Sequence, residues 1–199
     1  RSSDLLDVGC GNGRLAIDLA SRSERVDYLG LDASDALLEI ARRRLEALPG
    51  VHAELAAIDL VRERLSERLR GRRFDLVAAF GLFHHLPGRA LRLEVLSDLA
   101  ALTGPGGVCA LGFWQFGAHE RFRRRFADWG SFNRRADEPI DLGQIEPGDH
   151  LLAWGEGDEV VRYCHWTSPD EARELFAEAG LEVADLYSAD GADGKLNLY

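Results

Sequence analysis

A glycine-rich run near the start of this 199-residue sequence offers the clearest candidate for a ligand site. The residues Asp7-Val8-Gly9-Cys10-Gly11-Asn12-Gly13 follow an apolar stretch and precede a helical pattern. Glycine lets the backbone bend sharply and lets a ligand approach, because no Cβ stands in the way. Cys10 lies inside this turn, where a small side chain fits. The pattern predicts a strand, a turn and a helix that together form a ligand-binding edge of an open α/β sheet.

The spacing of these glycines does not match two common nucleotide-binding motifs. A dinucleotide fingerprint needs glycines at its first, third and sixth positions. Here the sixth position is Arg14, and the third glycine is Gly13 instead. The lysine of a phosphate-binding loop is also absent from this run. An isolated glycine triplet could also be a plain tight turn without a ligand. Residues farther along the chain are needed to distinguish a ligand-binding turn from a purely structural one.

Carboxylates follow the next two predicted strands. Asp32 ends the second strand, beside Ala33. Because Ser34 can cap the next helix, the Asp32 carboxylate is free to accept hydrogen bonds from ribose hydroxyls. The alternative is that Asp32 only helps to start that helix. Asp59 ends the third strand, next to Leu60, where its carboxylate could meet an adenine amino group. Two acidic groups would repel a phosphate but not a sulfonium, so they favour a nucleoside without phosphates.

These residues follow predicted strands in a sequence whose apolar runs alternate with amphipathic helical patterns. Such alternation predicts an α/β fold whose parallel sheet is covered on both faces. Strands are predicted over Asp4–Gly9, Val26–Asp32, Val51–Ile58, Phe74–Phe80, Gly107–Trp114, Leu181–Tyr187 and Leu196–Tyr199. Helices are predicted near Gly13–Arg22, Asp35–Leu48, Val61–Arg70, Arg89–Leu102 and Thr167–Gly180.

The alternation breaks between Gln115 and His165, where turn signals such as Glu146-Pro147-Gly148 and Gly155-Glu156-Gly157 accumulate. We expect one domain over residues 1–199, in which an insertion at about 115–165 covers the substrate side. The insertion carries a local concentration of arginines, although the net charge of the chain is −10. Three aromatic residues there have helical spacing, which favours one helix with a buried apolar stripe: Phe122, Phe126 and Trp129. The arginines would lie on its solvated face or contact phosphates of a polyanionic partner: Arg123, Arg124 and Arg125.

Several of these features together resemble the class I S-adenosylmethionine-dependent methyltransferases over nearly the whole chain. The residues concerned are the Asp7–Gly13 motif, Asp32, Asp59, the Phe74–Pro87 run and Gly104-Pro105-Gly106-Gly107. The resemblance implies a doubly wound, Rossmann-like sheet of seven strands, mostly parallel with an antiparallel closing strand. It also implies S-adenosylmethionine as the cofactor, with the methionine part among the glycines, and the contacts Asp7, Gly9, Cys10, Gly11, Gly13, Asp32, Ala33, Asp59, Leu60 and Phe80.

Shorter motifs are similar to the tRNA wobble-uridine methyltransferases that esterify a carboxymethyl side chain. They are Phe83-His84-His85-Leu86-Pro87, Leu111-Gly112-Phe113-Trp114 and Arg162-Tyr163-Cys164-His165. This resemblance implies a modified tRNA uridine as acceptor and a small activator subunit of the kind its eukaryotic relatives use. Within these motifs we expect substrate contacts at Trp114, Arg162 and His165. An arginine can also bind an acidic acceptor with two hydrogen bonds. The chain departs from the family pattern over Gly194–Leu198, where Gly-Asn-Trp-like residues are expected.

His84 and His85 are the candidate catalytic residues, and their role depends on the acceptor. A carboxylate is already ionised near neutral pH and needs no base, so alignment of the reacting atoms would carry catalysis. A hydroxyl or amine acceptor would use one histidine as a base, and a pair that only shapes the turn is the alternative. Three functions stay open: tRNA methylation, methylation of a small carboxylic acid or hydroxyl compound, and a non-catalytic cofactor-binding module.

Composition limits the class of protein further. Apolar residues make up 46% of the chain and charged residues 29%, as in ordinary globular proteins. No apolar run approaches the roughly 20 residues that cross a bilayer, and no signal-peptide pattern is present. We therefore expect a cytoplasmic protein without a membrane segment. The three cysteines have no metal-ligand spacing, so no metal site is expected.

Overall fold

A computed structural model of the chain describes residues 4–23, 25–154 and 160–199. Strands and helices alternate in its first half: β1 Asp4–Val8, α1 Arg14–Ala20, β2 Val26–Asp32, α2 Asp35–Leu45, β3 Val51–Ala57, α3 Leu65–Arg68, β4 Phe74–Phe80, α4 Arg89–Leu102 and β5 Thr103–Trp114. The second half contains α5 Glu120–Arg123, β6 Phe126–Ala127, α6 Trp129–Asn133, β7 Asp149–Ala153, β8 Val161–His165, α7 Pro169–Glu178, β9 Ser188–Ala189 and β10 Asn197–Leu198. Short 3-10 turns lie at Phe83–His85, Phe116–Ala118 and Leu142–Gln144.

Seven strands form the main sheet, in the order β3-β2-β1-β4-β5-β10-β9. The first five pair in parallel, whereas β10 runs antiparallel to both β5 and β9. The predicted fold class, a doubly wound α/β sheet with an antiparallel closing strand, is confirmed. The strand order reverses between β1 and β4, and open sheets bind ligands beyond the carboxyl ends of strands at such a point.

Both faces of this sheet are covered by helices. Leu5 and Leu6 point to opposite faces, because side chains alternate along a strand. Leu5 packs with Leu38 and Leu45 of α2, whereas Leu6 belongs to the core that α4 and α7 cover. This packing gives the loops at the strand ends a rigid base. No helix in the described ranges is long and apolar enough to cross a membrane.

Two elements predicted outside the insertion differ from the structure. The helix predicted over Val61–Arg70 is reduced to the single turn Leu65–Arg68. The strand predicted over Leu181–Tyr187 does not form, and pairing starts only where Tyr187 and Tyr199 exchange backbone hydrogen bonds of 2.9 and 2.8 Å. The residues before Tyr187 lie at the sheet edge, beyond the reach of the short β10, so their alternating pattern has no partner strand.

The insertion forms a small antiparallel sheet of its own, in the order β6-β7-β8. The single helix predicted through Phe122, Phe126 and Trp129 was wrong, because Phe126 pairs with Leu152 of β7. Asp128 then starts a second short helix, α6, by accepting a hydrogen bond from the Ser131 N–H at 2.8 Å. The turn signal at Gly155-Glu156-Gly157 lies outside the described residues.

A buried charge network joins the insertion to the helices of the main sheet. The guanidinium of Arg92 on α4 lies 2.6 Å from Glu146 and 3.2 Å from Glu171 on α7. His165 is bonded at Nδ1 to Asp149, at 2.6 Å, and at Nε2 to Glu171, at 3.0 Å. Burial opposes charge on this ring, but the two carboxylates outweigh it and raise the pKa of His165. The network therefore fixes β7 and β8 against α4 and α7.

Candidate active site

The glycine turn after β1 has a left-handed backbone at Gly9, Gly11 and Gly13, with φ of 76°, 54° and 78°. The N–H groups of Gly9 and Cys10 both donate to the Leu31 carbonyl, at 2.8 and 3.0 Å, which folds the turn against the end of β2. A Cβ built on Gly11 would meet no described atom within 4 Å. The turn thus needs glycine for its conformation, and at Gly11 the backbone stays open to a ligand.

Asp32, at the end of β2, is hydrogen-bonded to this turn. One carboxylate oxygen accepts the Gly11 N–H at 2.8 Å, and the other accepts the Ser34 N–H at 2.9 Å. The Ser34 hydroxyl itself caps α2 by accepting the Leu37 N–H at 3.3 Å, so Asp32 is not needed as the cap. Each carboxylate oxygen has a second lone pair for a ribose hydroxyl. The bond between Asp32 and Gly11 was not foreseen from the sequence.

The predicted cofactor residues line two cavities that meet at Gly9. The smaller cavity measures about 170 Å³ and includes Gly9, Asp32, Ala33, Asp59, Leu60 and His85 in its lining. The larger measures about 700 Å³ and includes Asp7, Gly9, Cys10, Gly11, Phe80, Asp190 and Tyr199. Gly13 is buried behind the turn, where its Cβ would lie 3.3 Å from the Leu45 side chain. Of the ten predicted cofactor residues, nine therefore reach a cavity wall and Gly13 supports the turn.

Asp59 keeps its carboxylate at the edge of the smaller cavity. One oxygen accepts the Val61 N–H at 3.0 Å, and the other lies 3.3 Å from the guanidinium of Arg62. The Arg62 side chain is 83% exposed, so water and salt screen this pair. The carboxylate therefore remains accessible to a hydrogen-bond donor in the cavity.

Asp7 and Cys10 are buried beneath the larger cavity. The Tyr28 hydroxyl donates to Asp7 at 2.7 Å, yet burial dominates and raises the pKa of Asp7 to about 6. Burial and the nearby carboxylates of Asp7 and Asp32 raise the pKa of the Cys10 thiol to about 12. Cys10 is therefore a neutral thiol at neutral pH, which fits a packing role in the turn and not a nucleophilic one.

The two histidines after β4 differ in exposure. Burial lowers the pKa of His84 to about 3, and its ring packs 5.2 Å from Trp114 and 4.0 Å from the His85 ring. Its buried Nδ1 atom has no hydrogen-bond partner among the described residues. His85 lies in the wall of the smaller cavity with part of its ring open to solvent, and desolvation of the remainder and then the charge of Arg162 lower its pKa. Both rings are therefore weak bases.

The predicted acceptor contacts have different surroundings. Arg162 is exposed, with its guanidinium 4.6 Å from the centre of the Trp154 ring, and forms no ion pair with any described residue. Trp114 packs 4.9 Å from Phe122 in the core of the insertion, so only part of it is accessible. Both ring nitrogens of His165 are occupied by carboxylates. An acceptor contact at His165 would therefore have to replace one of these hydrogen bonds, and that contact stays a prediction.

The three consecutive arginines do not form one uniform patch. Arg123 donates to the Gly117 carbonyl at 3.0 Å. Arg124 lies 2.6 Å from Glu120, which partly cancels its charge. The guanidinium of Arg125 lies 5.8 Å from the Trp154 ring. A polyanion would therefore meet these side chains in three different environments.

Asp190 and Tyr199 are cavity residues that the sequence did not single out. They come from the turn and the last strand at the end of the chain, and they reach the larger cavity because β10 pairs with β5. Nothing in the sequence pattern around Asp190 and Tyr199 indicated a cavity there.

The fold and this site define a class of protein. A seven-stranded sheet with one reversed strand, an open glycine turn and acidic residues after β2 and β3 are the features of class I S-adenosylmethionine-dependent methyltransferases. The residues fit this cofactor, because Gly11 leaves space above the turn and Asp32 and Asp59 offer acceptors to a nucleoside. The larger cavity continues from Gly9 and has room for an amino-acid end.

Comparisons with known proteins lead to the same class. The methyltransferase-domain family matches residues 6–109. The chain is 29% identical over 120 residues to a probable tRNA methyltransferase 9B of Mus musculus, covering 60% of this chain and 23% of that protein. It is 30% identical over 185 residues to a ubiquinone biosynthesis O-methyltransferase of Thiobacillus denitrificans, covering 92% and 66%. An amino pentose methyltransferase of Micromonospora echinaspora, solved with S-adenosylmethionine bound, has a TM-score of 0.61 at 25% identity, covering 99% of this chain and 82% of that one.

The chain belongs to the methyltransferase-domain family and is an S-adenosylmethionine-dependent enzyme. It spans about a quarter of the mouse relative's length and two thirds of the bacterial one. The predicted cofactor and enzyme class are confirmed, and a non-catalytic module is not supported.

Proposed function

We propose that this methyltransferase acts on a carboxylate, with the side-chain carboxylate of a modified tRNA uridine as the favoured acceptor. The observation that carries the proposal is the chemistry around the cavity mouth. The pKa of His84 lies at about 3, so this ring is a poor proton acceptor at neutral pH, and the pKa of His85 is also lowered, which weakens that ring as a base. An ionised carboxylate is the acceptor that needs no base.

The residues at the site would then act by binding and alignment. S-adenosylmethionine supplies an electrophilic methyl group on a positively charged sulfur. Asp32 and the glycine turn would fix the ribose, and Asp59 the adenine amino group. Arg162, which has no carboxylate partner among the described residues, would hold the acceptor by charge-assisted hydrogen bonds. Holding the reacting atoms in line can contribute roughly 7–11 kcal/mol.

The tRNA part of the proposal has separate support. The short motifs at Phe83–Pro87, Leu111–Trp114 and Arg162–His165 are similar to tRNA wobble-uridine methyltransferases, and the mouse relative is named as a probable tRNA methyltransferase. We also propose that residues 1–199 form one domain, with the insertion at 115–165 on the acceptor side. An activator subunit stays a prediction from the same resemblance, and a cytoplasmic location stays a prediction from the sequence composition.

A small carboxylic acid or hydroxyl compound is the second candidate acceptor. The observation that favours it is the longer match to the ubiquinone biosynthesis O-methyltransferase, which extends over 92% of this chain. The mixed environments of Arg123, Arg124 and Arg125 also leave less free positive charge for RNA than the sequence suggested.

A methylation assay separates these acceptors. Purified protein would be incubated with methyl-labelled cofactor and either total tRNA or a pool of carboxylic acids, followed by mass spectrometry. We expect a methyl ester on a tRNA uridine, released by mild base, and an acceptor kcat/KM that is flat from about pH 7 to 9 because neither histidine changes charge there. A base-stable methyl ether or amine would exclude the carboxylate, and labelling of the small acids alone would exclude tRNA.

Two sets of variants locate the acceptor contacts. We expect Arg162→Gln to lower acceptor kcat/KM by about 10- to 100-fold, the effect of losing a charged hydrogen-bond pair, without changing cofactor affinity. Arg173→Gln, on the exposed side of α7, is the matched control. Replacing Arg123, Arg124 and Arg125 with glutamate should abolish tRNA binding and spare the cofactor. Undiminished tRNA binding by the triple variant would show that these arginines are only a solvated surface.

A further inference from the structure

We propose that Asp190 and Tyr199 complete the cofactor site, and that the Asp190 carboxylate is the counter-charge for the ammonium group at the amino-acid end of S-adenosylmethionine. This inference concerns the cofactor only, so it does not depend on which acceptor the enzyme methylates. It assigns a binding role to the closing strands of the sheet, far along the chain from the glycine turn.

The geometry places these two residues opposite the glycine turn. Asp190 and Tyr199 line the larger cavity together with Gly11 and Phe80. The Tyr199 ring meets Phe80 edge-on, with their centres 5.8 Å apart. A Cβ on Gly112 of β5 would come within 3.2 Å of the Tyr199 ring, so the glycine at that position allows the close approach. The closing strands therefore form the outer wall of the cavity.

Asp190 is the exposed acidic group of this cavity that forms no ion pair with a described residue. Asp7 is buried under the turn and bonded to Tyr28, and Asp18 pairs with Arg22 at 3.0 Å. Asp190 instead accepts hydrogen bonds from two neutral donors, the Tyr199 hydroxyl and the Asn197 amide. These bonds lower the pKa of Asp190 and keep it ionised. Within the described ranges, no cation lies within ion-pair distance of its carboxylate.

The backbone of Asp190 adds an independent observation. Among the described residues, Asp190 is the one non-glycine residue with a left-handed backbone, at φ 64°. Side chains other than those of asparagine and aspartate are disfavoured in this conformation, and residues held in it are concentrated at functional sites. The Leu196 N–H, which donates to the Asp190 carbonyl at 3.1 Å, helps to hold the turn. The turn thus holds at the wall of the cavity one of the few non-glycine residues that tolerate this backbone.

The chemistry of the ligand matches this wall. The amino-acid end of the cofactor carries an ammonium and a carboxylate, so a cavity that holds it should offer both signs of charge. Arg14 lines the same cavity as Asp190 and has no ion pair with a described residue. The cavity thus presents one exposed cation and one exposed anion, neither in an ion pair with a described residue, to a zwitterion.

Calorimetry with three ligands tests this assignment. S-adenosylmethionine and S-adenosylhomocysteine both carry the amino-acid end, whereas 5′-methylthioadenosine lacks it. Asp190→Asn keeps a residue that tolerates the left-handed backbone and removes only the charge. We expect affinity for the first two ligands to fall about tenfold, the difference between a charged and a neutral hydrogen bond, with affinity for 5′-methylthioadenosine unchanged. Asp193→Asn, in the same turn but outside the cavity lining, is the charge-matched control and should match the parent.

Two results would overturn the proposal. One is equal affinity of the Asp190→Asn and Asp193→Asn proteins for S-adenosylmethionine. The other is an equal loss for 5′-methylthioadenosine, which would mean that the whole cavity had been distorted. If the Asp190→Asn protein does not fold, Tyr199→Phe provides a second test, because it removes one hydrogen bond from the carboxylate and keeps the ring. It should weaken the two amino-acid ligands about threefold, as the loss of one modest hydrogen bond does, and an unchanged affinity would refute the role of this pair.

Discussion

Replacing Asp32 with asparagine gives a sharp test of how the glycine turn and the ribose contact are coupled. The carboxylate accepts one backbone N–H on each oxygen, from Gly11 and from Ser34. An asparagine has one acceptor oxygen, so its amide N–H₂ must face one of these two N–H donors. The substitution therefore removes one turn hydrogen bond as well as the charge that would meet the ribose hydroxyls.

The expected magnitude follows from these contacts. A hydrogen bond to a charged group contributes about 1.5–3 kcal/mol, and an unsatisfied N–H costs a similar amount when it is buried. Because Asp32 is only half-buried, water can reach the displaced N–H, and we expect the free energy of unfolding to fall by about 1–2 kcal/mol. Affinity for S-adenosylmethionine should fall by about 10- to 100-fold.

Isothermal titration calorimetry and urea unfolding measure the two effects. Since 5′-methylthioadenosine contains the ribose, it should lose as much affinity as S-adenosylmethionine, in contrast to the Asp190 variant. Asp35→Asn, three residues away on the exposed first turn of α2, removes the same charge and should change cofactor affinity less than twofold, within about 0.5 kcal/mol for a surface site. A folded Asp32→Asn protein that binds the cofactor as tightly as the parent would refute the ribose assignment.

Two further predictions concern buried charge. Arg92→Met leaves the carboxylates of Glu146 and Glu171 without their guanidinium partner. Because these side chains are 32% and 20% exposed, we expect the free energy of unfolding in urea to fall by about 2 kcal/mol, which is less than the roughly 3–5 kcal/mol for breaking a fully buried pair. An equally small change in Arg92→Met and in the exposed Arg173→Met would contradict a role in holding the insertion. The pKa of Asp7 is raised from 3.8 to about 6 in the folded chain, so the folded state binds this proton more tightly than the unfolded state does. Protonated Asp7 therefore contributes about 3 kcal/mol to the free energy of unfolding below about pH 4, and this contribution is lost as the pH rises through about 6. Asp7→Asn should flatten that part of the curve of unfolding free energy against pH, and parallel curves for variant and parent would show that Asp7 does not titrate there.

Local features of the fold were readable from the sequence. The glycine turn, the Ser34 cap of α2 and the Ser168 cap of α7 each depend on residues a few positions apart. The apolar alternation likewise reports on which face of a strand or helix is buried. These properties predicted the order of the main elements, the class of fold and the acidic residues at the ends of β2 and β3.

Long-range contacts decided the rest. Phe126 lies in a strand and not in a helix, because Leu152 provides a backbone partner 26 positions away. Both ring nitrogens of His165 are hydrogen-bonded to Asp149 and Glu171, which the Arg162–His165 motif gave no sign of in the sequence.

The same distinction holds for the cofactor site. The sequence by itself determined which strand ends carry glycine or acidic residues, because each lies at the boundary of a local pattern. Only the tertiary structure decided that Asp190 and Tyr199 reach the same cavity as Gly11. Their position depends on the antiparallel pairing of β10 with β5. The sequence of a two-residue strand is too short to indicate which strand it pairs with.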